Sequence, residues 1–364
     1  MLEITMSKLE KLKRYPILKN DQLQAWDASD ELVLSEIETR DPVKVLIVND
    51  SFGALTFGLS DREITSYSDS YVSTKAINLN TENPGRLISD LKRVGGDYDL
   101  IIIKLPKSLS FLEDILIELS NSIKTGTPFI FSGMIKHMSP GHFDMIEKYI
   151  GETTTSLAKK KARLIFASFS KEPTENPYPI SLEIPQWEKP LQNESNLFSR
   201  EKLDIGTRFF LENIPSGDFK KILDLGCANG LVGLVAKKKN PSSTIYFADE
   251  SYMAIKSAKS NYKNSFEDSA QYFWTNCYED KDLPEVDLVL CNPPFHQGTT
   301  IGDFIAWQMF NDSKKKLLSG GKIIVIGNGH LRYDQKLTKI FGNCKVINQN
   351  KKFVVLESIR QSNW

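Results

Sequence analysis

The sequence predicts an α/β protein of two tandem domains, each built on a mostly parallel sheet and related to the other by duplication. Three observations predict it. Short apolar runs alternate with helical patterns through the C-terminal half, which is how strand–helix–strand units with parallel strands read. The N-terminal half repeats four segments of the C-terminal half in the same order. The chain of 364 residues is long enough for two ordinary domains and for cores that need no disulfide or metal staple.

In the C-terminal half the strands fall at 222–226, 244–249, 271–276, 287–292, 322–327 and 353–359. Helices fall at 231–239, 252–263, 303–318 and 332–341. No helix separates 345–347 from 353–359, so a hairpin is expected there and places one antiparallel strand in the sheet. The repeat supplies the N-terminal elements. Lys44-Val-Leu-Ile-Val-Asn-Asp-Ser-Phe-Gly53 lies over Lys221-Ile-Leu-Asp-Leu-Gly-Cys-Ala-Asn-Gly230. Asp69-Ser-Tyr71 lies over Asp249-Glu-Ser-Tyr252 with a one-residue gap. Tyr98-Asp-Leu-Ile-Ile-Ile-Lys-Leu-Pro106 lies over Val286-Asp-Leu-Val-Leu-Cys-Asn-Pro-Pro294, and Tyr149-Ile-Gly151 over Ile340-Phe-Gly342. Five of the 16 prolines crowd into residues 171–190. Proline removes backbone donors and breaks helices and central strands, so this stretch reads as a linker or an irregular edge segment. The expected boundaries are a first domain at 1–175, a linker at 176–198 and a second domain at 199–364.

Charge and cysteine usage narrow the function. Lys+Arg and Asp+Glu both number 46, which argues against a strongly basic DNA-coating protein and against an acidic disordered chain. No apolar run reaches the roughly 18–20 residues needed to span a bilayer, and the charged N-terminus has no signal-peptide core. Cys227, Cys277, Cys291 and Cys344 form no C-x-x-C pair and no His stands at metal spacing. A cytoplasmic protein without a metal or membrane partner, with a monomer favoured, is the expectation; the thiols are expected to be small buried groups.

The chemistry lies at strand ends of the C-terminal half. Asp224-Leu-Gly226-Cys-Ala-Asn-Gly230 ends one strand and opens a helix; glycines there allow positive φ and close backbone approach, and the helix start offers N–H donors. Asp249 ends the next strand, where a carboxylate can accept from both hydroxyls of a ribose. It could equally cap a helix. Asn276 ends the third, as an adenine-edge partner or a plain turn residue. Asn292-Pro-Pro-Phe295 ends the fourth and is the most specific element. Its prolines remove two donors, so the Asn292 carboxamide oxygen and the Pro293 carbonyl can both accept from one exocyclic amine. Phe295 offers a stacking face for a base outside its helix. His296 and Gln297, just after the motif, could line the base pocket, and His330 lies at a strand end; each could equally be structural. In the first half, Lys104 stands where the second has Asn292, Asn49 where it has Gly226, and Ile47 where it has Asp224. An ammonium only donates, so the first domain cannot hold a base amine this way. Lysine runs at 159–161, 237–239, 314–316 and 351–352 could grip phosphates or be solvated helix ends.

On these residues, 221–329 resembles a class I S-adenosyl-L-methionine-dependent methyltransferase of the amino-methylating N-P-P-[FYW] group. Asn196-Leu-Phe-Ser-Arg-Glu-Lys-Leu-Asp-Ile-Gly206 resembles the segment before the cofactor domain in the bacterial ribosomal RNA guanine-N2 methyltransferases. Leu23-Gln-Ala-Trp-Asp27, Cys291-Asn-Pro-Pro-Phe-His-Gln297, Ile340-Phe-Gly-Asn-Cys344 and Lys352-Phe-Val-Val-Leu356 look like the large-subunit branch more than the small-subunit one. The resemblance implies two Rossmann-like methyltransferase domains with seven-stranded sheets, only the second catalytic, and large-subunit (23S) ribosomal RNA as partner. It implies catalysis by Asn292, Pro293, Pro294 and Phe295, and S-adenosyl-L-methionine held by Asp224, Gly226, Cys227, Ala228, Gly230, Asp249, Glu250, Asn276, Asn292 and Phe198. Ala228 departs from the family's usual glycine. Open alternatives are a small-subunit target, adenine-N6 or protein glutamine-N5 methylation, and a non-catalytic RNA-binding assembly factor.

Overall fold

Runs of Val, Ile and Leu become strands covered on both faces, as a parallel sheet between helix layers requires. The computed structural model describes residues 9–17, 23–185, 187–294 and 300–362. It divides into two units, Met1–Tyr178 and Pro179–Trp364.

The first unit holds β1 (Lys44–Val48), β2 (Glu63–Tyr67), β3 (Arg86–Ile88), β4 (Leu100–Lys104), β5 (Pro128–Met134), β6 (Thr154–Thr155) and β7 (Ala162–Ser168) in the order β3-β2-β1-β4-β5-β7-β6. The second opens with a hairpin of β8 (Ile180–Ile184) and β9 (Trp187–Asn193). Its main sheet holds β10 (Lys221–Leu225), β11 (Thr244–Asp249), β12 (Gln271–Trp274), β13 (Val286–Cys291), β14 (Leu317–Asn328), β15 (Lys345–Gln349) and β16 (Phe353–Ile359), in the order β12-β11-β10-β13-β14-β16-β15. The two orders are the same. In each sheet one strand, β7 or β16, runs antiparallel to its neighbours.

The ladder registers confirm the duplication residue by residue. Val48 pairs with Ile103 and Leu225 with Cys291, so Lys104 and Asn292 each follow the same sheet position. One alignment changes. Val48 pairs with Tyr67 and Leu225 with Ala248, which sets Asp69 opposite Glu250 and Ser68 opposite Asp249 without a gap. The helix caps agree: Ser70 accepts from the Ser73 N–H, and Ser251 from the Ala254 N–H.

Three further expectations are corrected. Much of the stretch 176–198, read as a linker, is the β8–β9 hairpin. In a two-stranded sheet both strands are edges, so Pro190 within β9 need not break a ladder, and Pro185 sits at the turn. Ile184 and Leu191 anchor the hairpin in the core of the second unit. The helix expected at 303–318 spans Thr300–Lys316 instead. Leu317 already pairs with Val286 as the first residue of β14, which is longer than the expected 322–327.

Candidate active site

The site assembles at the carboxyl ends of β10, β11, β12 and β13, the edge where open parallel sheets bind ligands. Asp224 lies on β10 and is 3% exposed. Its carboxylate accepts the Gly233 N–H at 2.8 Å, and burial holds its pKa well above the usual carboxylate range. Asp224 therefore braces the helix Leu231–Lys239 from below the loop.

The loop itself is left-handed at Gly226 (φ +76°), Ala228 (φ +46°) and Gly230 (φ +84°). A Cβ on Gly230 would stand 3.0 Å from the Ala258 Cα, so glycine is needed there on two counts. A Cβ on Gly226 would meet the Met309 Cε at 3.3 Å and the Asn292 carbonyl oxygen at 4.0 Å. The bare Gly226 thus brings the first loop against the Asn-Pro-Pro turn. The expected supply of N–H donors is mostly consumed inside the chain. Gly226 and Cys227 donate to the Ala248 carbonyl, Ala228 to Asp249, Gly230 to the Cys227 carbonyl, and Leu231 to the Asn229 side chain. What the loop offers a ligand is close backbone approach more than free donors. Cys227, Cys277 and Cys291 are buried, and burial raises all three thiols well above their ordinary range.

Asp249 takes the Ala228 N–H at 3.0 Å and the Ser251 N–H at 2.9 Å. Those two bonds fix the carboxylate at the end of β11. Glu250 is exposed beside it, and its carbonyl takes the Trp274 indole N–H at 2.8 Å. Asn276 is 7% exposed, and its amide donates to Glu279 at 2.8 Å. Gln308 also donates to that Glu279 oxygen, at 3.1 Å.

Asn292 completes the site. Its Nδ2 donates to the Thr207 hydroxyl at 3.1 Å. That hydroxyl lies 3.4 Å from Asp204 Oδ2, which also caps the helix Ile205–Glu212 by accepting the Thr207 N–H at 2.8 Å. A hydroxyl that donates to Asp204 receives from Asn292 through a lone pair, so the amide orientation is set. Asn292 Oδ1 is left buried with no hydrogen-bond partner among the described residues. Such an acceptor costs about 1–3 kcal/mol. Pro293 is buried beside it and Pro294 half-buried. Phe295, His296 and Gln297 lie outside the described residues. Phe198 is 60% exposed.

Thr207 and Met309 were not evident from the sequence. Asp204 as a helix cap is a readable signal, but its connection to a residue 85 positions beyond Thr207 is not. The lysine runs also resolve. Lys237 donates to the Pro241 and Ser243 carbonyls at 2.8 Å, Lys239 to those of Leu211 and Ile214, and Lys316 to those of Lys281 and Leu283. Lys315 pairs with Asp312 at 2.9 Å, and Lys314 donates to the Ile340 carbonyl. These runs end helices and fasten them to neighbouring chain. Among the described residues no group of three or more His, Cys, Asp or Glu side chains is arranged for a metal, and no helix is long and apolar enough to cross a membrane.

Known proteins show the same two-part organisation. The family described as the RLMG N-terminal domain matches residues 2–171, and the methyltransferase small domain matches 188–357. A protein of Psychromonas ingrahamii named ribosomal RNA large subunit methyltransferase G is 42% identical over 96% of both chains. Its namesake in Pseudoalteromonas translucida is 41% identical, also over 96% of both. The solved structure of the Thermus thermophilus 16S rRNA N2 G1207 methyltransferase in complex with AdoMet and guanosine shares the fold, with a TM-score of 0.77 over 92% of both chains at 18% identity.

Proposed function

The chain belongs to the ribosomal RNA large subunit methyltransferase G family, and from that premise we propose that it methylates the exocyclic N2 amine of a guanine in large-subunit ribosomal RNA. The observation that carries the reading is the buried, unpartnered Asn292 Oδ1. An unsatisfied buried acceptor calls for an explanation, and at a strand end beside a glycine loop a ligand's aromatic amine is a donor that would complete it.

The residues fit S-adenosyl-L-methionine. Gly226 provides a cradle that a side chain would narrow, and Asp249 stands fixed at the next strand end for a ribose. Glu250 is exposed beside it, and Asn276 closes the third strand end. When bound, the cofactor supplies an electrophilic methyl on its sulfonium. Asn292 Oδ1 and the Pro293 carbonyl accept the two amine hydrogens. This turns the nitrogen lone pair out of the base ring and toward the cofactor side of the site, where Gly226 abuts the Asn292 backbone. The protein's contribution is alignment, the effect that turns a bimolecular step into a local one. The guanine reaches the pocket unstacked or from a single strand, and Phe295 supplies its stacking face. The amine's surplus proton leaves to solvent after transfer. Residues 199–364 carry this chemistry; residues 1–175 serve RNA recognition or scaffolding.

The test is methyl transfer from labelled S-adenosyl-L-methionine to protein-free large-subunit RNA from cells lacking the enzyme. The product is digested to nucleosides. Labelled N2-methylguanine is expected. Labelled N6-methyladenine would overturn the base, and label in protein alone would overturn the RNA substrate.

A further inference from the structure

Besides Asn292 Oδ1, the second unit buries two further acceptors without a hydrogen-bond partner among the described residues, Asp312 Oδ2 and Asn328 Oδ1, and the latter stands at the carboxyl end of β14 beside a cavity. Asn328 is 7% exposed, and its Oδ1 is buried with no hydrogen-bond partner among the described residues. It lines a cavity of about 570 Å³ together with His330, Gln349, Lys351, Lys352 and Val354. No carboxylate is among the residues lining it. The volume suits a nucleotide-sized ligand, for which pockets run from about 300 to 1,000 Å³.

The cavity is built rather than incidental. Asn328 pairs with Phe353 across β14 and β16. The Asn350 side chain accepts the Lys352 and Phe353 N–H groups at 2.9 and 2.8 Å, and the Asn350 N–H donates to the Phe353 carbonyl at 2.9 Å. These bonds hold the β15–β16 turn so that Lys351 and Lys352 project from its tip. Both are exposed, and the Lys352 ammonium lies 5.2 Å from the Phe353 ring centroid. The lysines of the 237–239 and 314–316 runs are spent on carbonyls and carboxylates, whereas Lys351 and Lys352 have no carboxylate partner among the described residues.

The cavity is also joined to the amine-holding group. Gly206 lies against the Phe353 ring, where an added Cβ would meet Cε1 at 2.9 Å. The next residue, Thr207, holds the Asn292 amide. From Asn292 to Thr207, Gly206, Phe353 and Asn328 the contacts are continuous, on the side of β13 away from the cofactor loop.

We propose that this cavity is the subsite for a nucleotide flanking the target guanine in single-stranded RNA. Lys351, Lys352 and His330 meet its phosphate, and the Asn328 side chain turns to present its Oδ1 to an N–H or O–H of its base or ribose. This rests on the RNA reading above.

The test uses the full chain and a fluorescein-labelled dodecanucleotide of uridines around one guanine, read by anisotropy over a series of salt concentrations. Asn328→Ala is expected to weaken binding about five- to tenfold with an unchanged salt slope, since it removes an uncharged partner. Lys351→Gln with Lys352→Gln is expected to lower the salt slope by about 1.4, about 0.7 for each lysine that meets a phosphate of a single strand. Asn328→Asp preserves the side-chain shape and is expected to bind more weakly than Asn328→Ala, because its charge repels the phosphate; the thermal midpoint of each variant is read alongside to show that it is folded. An Asn328→Ala penalty that vanishes with 2′-deoxyuridines assigns the donor to the ribose; one that persists assigns it to the base. Unchanged affinity and salt slope in all three variants would overturn the subsite. Methyl transfer by the wild-type chain to large-subunit RNA is scored separately: no transfer there with these binding differences intact would fail the RNA-methylation reading and leave a single-stranded RNA subsite without a target guanine.

Discussion

The two units share a strand order and two left-handed turns of one loop, yet they treat the equivalent position at the ends of β4 and β13 differently. After β1 and β10 the chain turns left-handed at the same two sheet positions, Asn49 and Gly53 in the first unit and Gly226 and Gly230 in the second. Gly53 is crowded as Gly230 is: a Cβ on it would stand 3.0 Å from the Ile77 Cα. The side chains then diverge. Lys104, at the position of Asn292, forms an ion pair with the buried Asp30 and lies 3.7 Å from Asp27, while Asn49 Nδ2 donates to the Lys104 carbonyl. Burial raises the Asp30 carboxyl to about 6 even against that ammonium. The first unit has closed the position with its own charges. In the second, Thr207 takes the Asn292 donor and no described residue takes its acceptor. One backbone thus serves as scaffold or as site according to whether the last hydrogen bond is completed internally.

The largest expected effect on this contrast comes from Asn292→Ala. It should lower kcat about 10²–10³-fold, the usual loss for one oriented partner of the reacting group. Cofactor affinity, read by calorimetry, should stay within about twofold; its loss in a folded variant would remove the amine-holding role. Next is Lys104→Ala, which strands the buried Asp30 and should destabilise the first unit by about 3–5 kcal/mol. Hydrogen exchange would show it as faster opening of β1 and β4 with β10 and β13 unchanged. Equal protection in both units would mean the ion pair is not what closes this position.

Thr207→Val is a finer cut, because it leaves the amide in place but frees its rotation. A drop in kcat of about tenfold, with unchanged cofactor affinity and recovery in Thr207→Ser, is the outcome that marks a positioning residue. A matching fall in thermal stability with kcat intact would make Thr207 structural only. The smallest effect belongs to Ala228→Gly. Removing a left-handed alanine relieves about 1–2 kcal/mol, partly offset by the freer unfolded chain, so a net gain below about 1 kcal/mol is expected in urea unfolding.

The strand–helix alternation, the duplication and the glycine positions were legible in the sequence because each depends on residues close together. A strand buried on both faces shows as an apolar run, and a left-handed turn shows as glycine or asparagine. Asn292-Pro-Pro was legible for the same reason, since proline's effect on donors is local. The β8–β9 hairpin was not, because proline's cost depends on whether a strand has a neighbour, and that is a property of the sheet. Nor could the sequence separate structural lysines from free ones: Lys237, Lys239 and Lys316 owe their partners to chain turns that pack against helix ends.

By itself, then, the sequence determined the two-domain α/β plan, the loops at the strand ends and the donor-poor Asn292-Pro-Pro turn. The tertiary structure decided that the Asn292 donor goes to Thr207 while its oxygen stays unsatisfied, that Asp224 braces while Asp249 faces the loop, and that Asn328 Oδ1 stands unsatisfied beyond them. Hydrogen-bond satisfaction is settled only when distant segments meet, so which buried acceptors stay unsatisfied is decided by the tertiary structure.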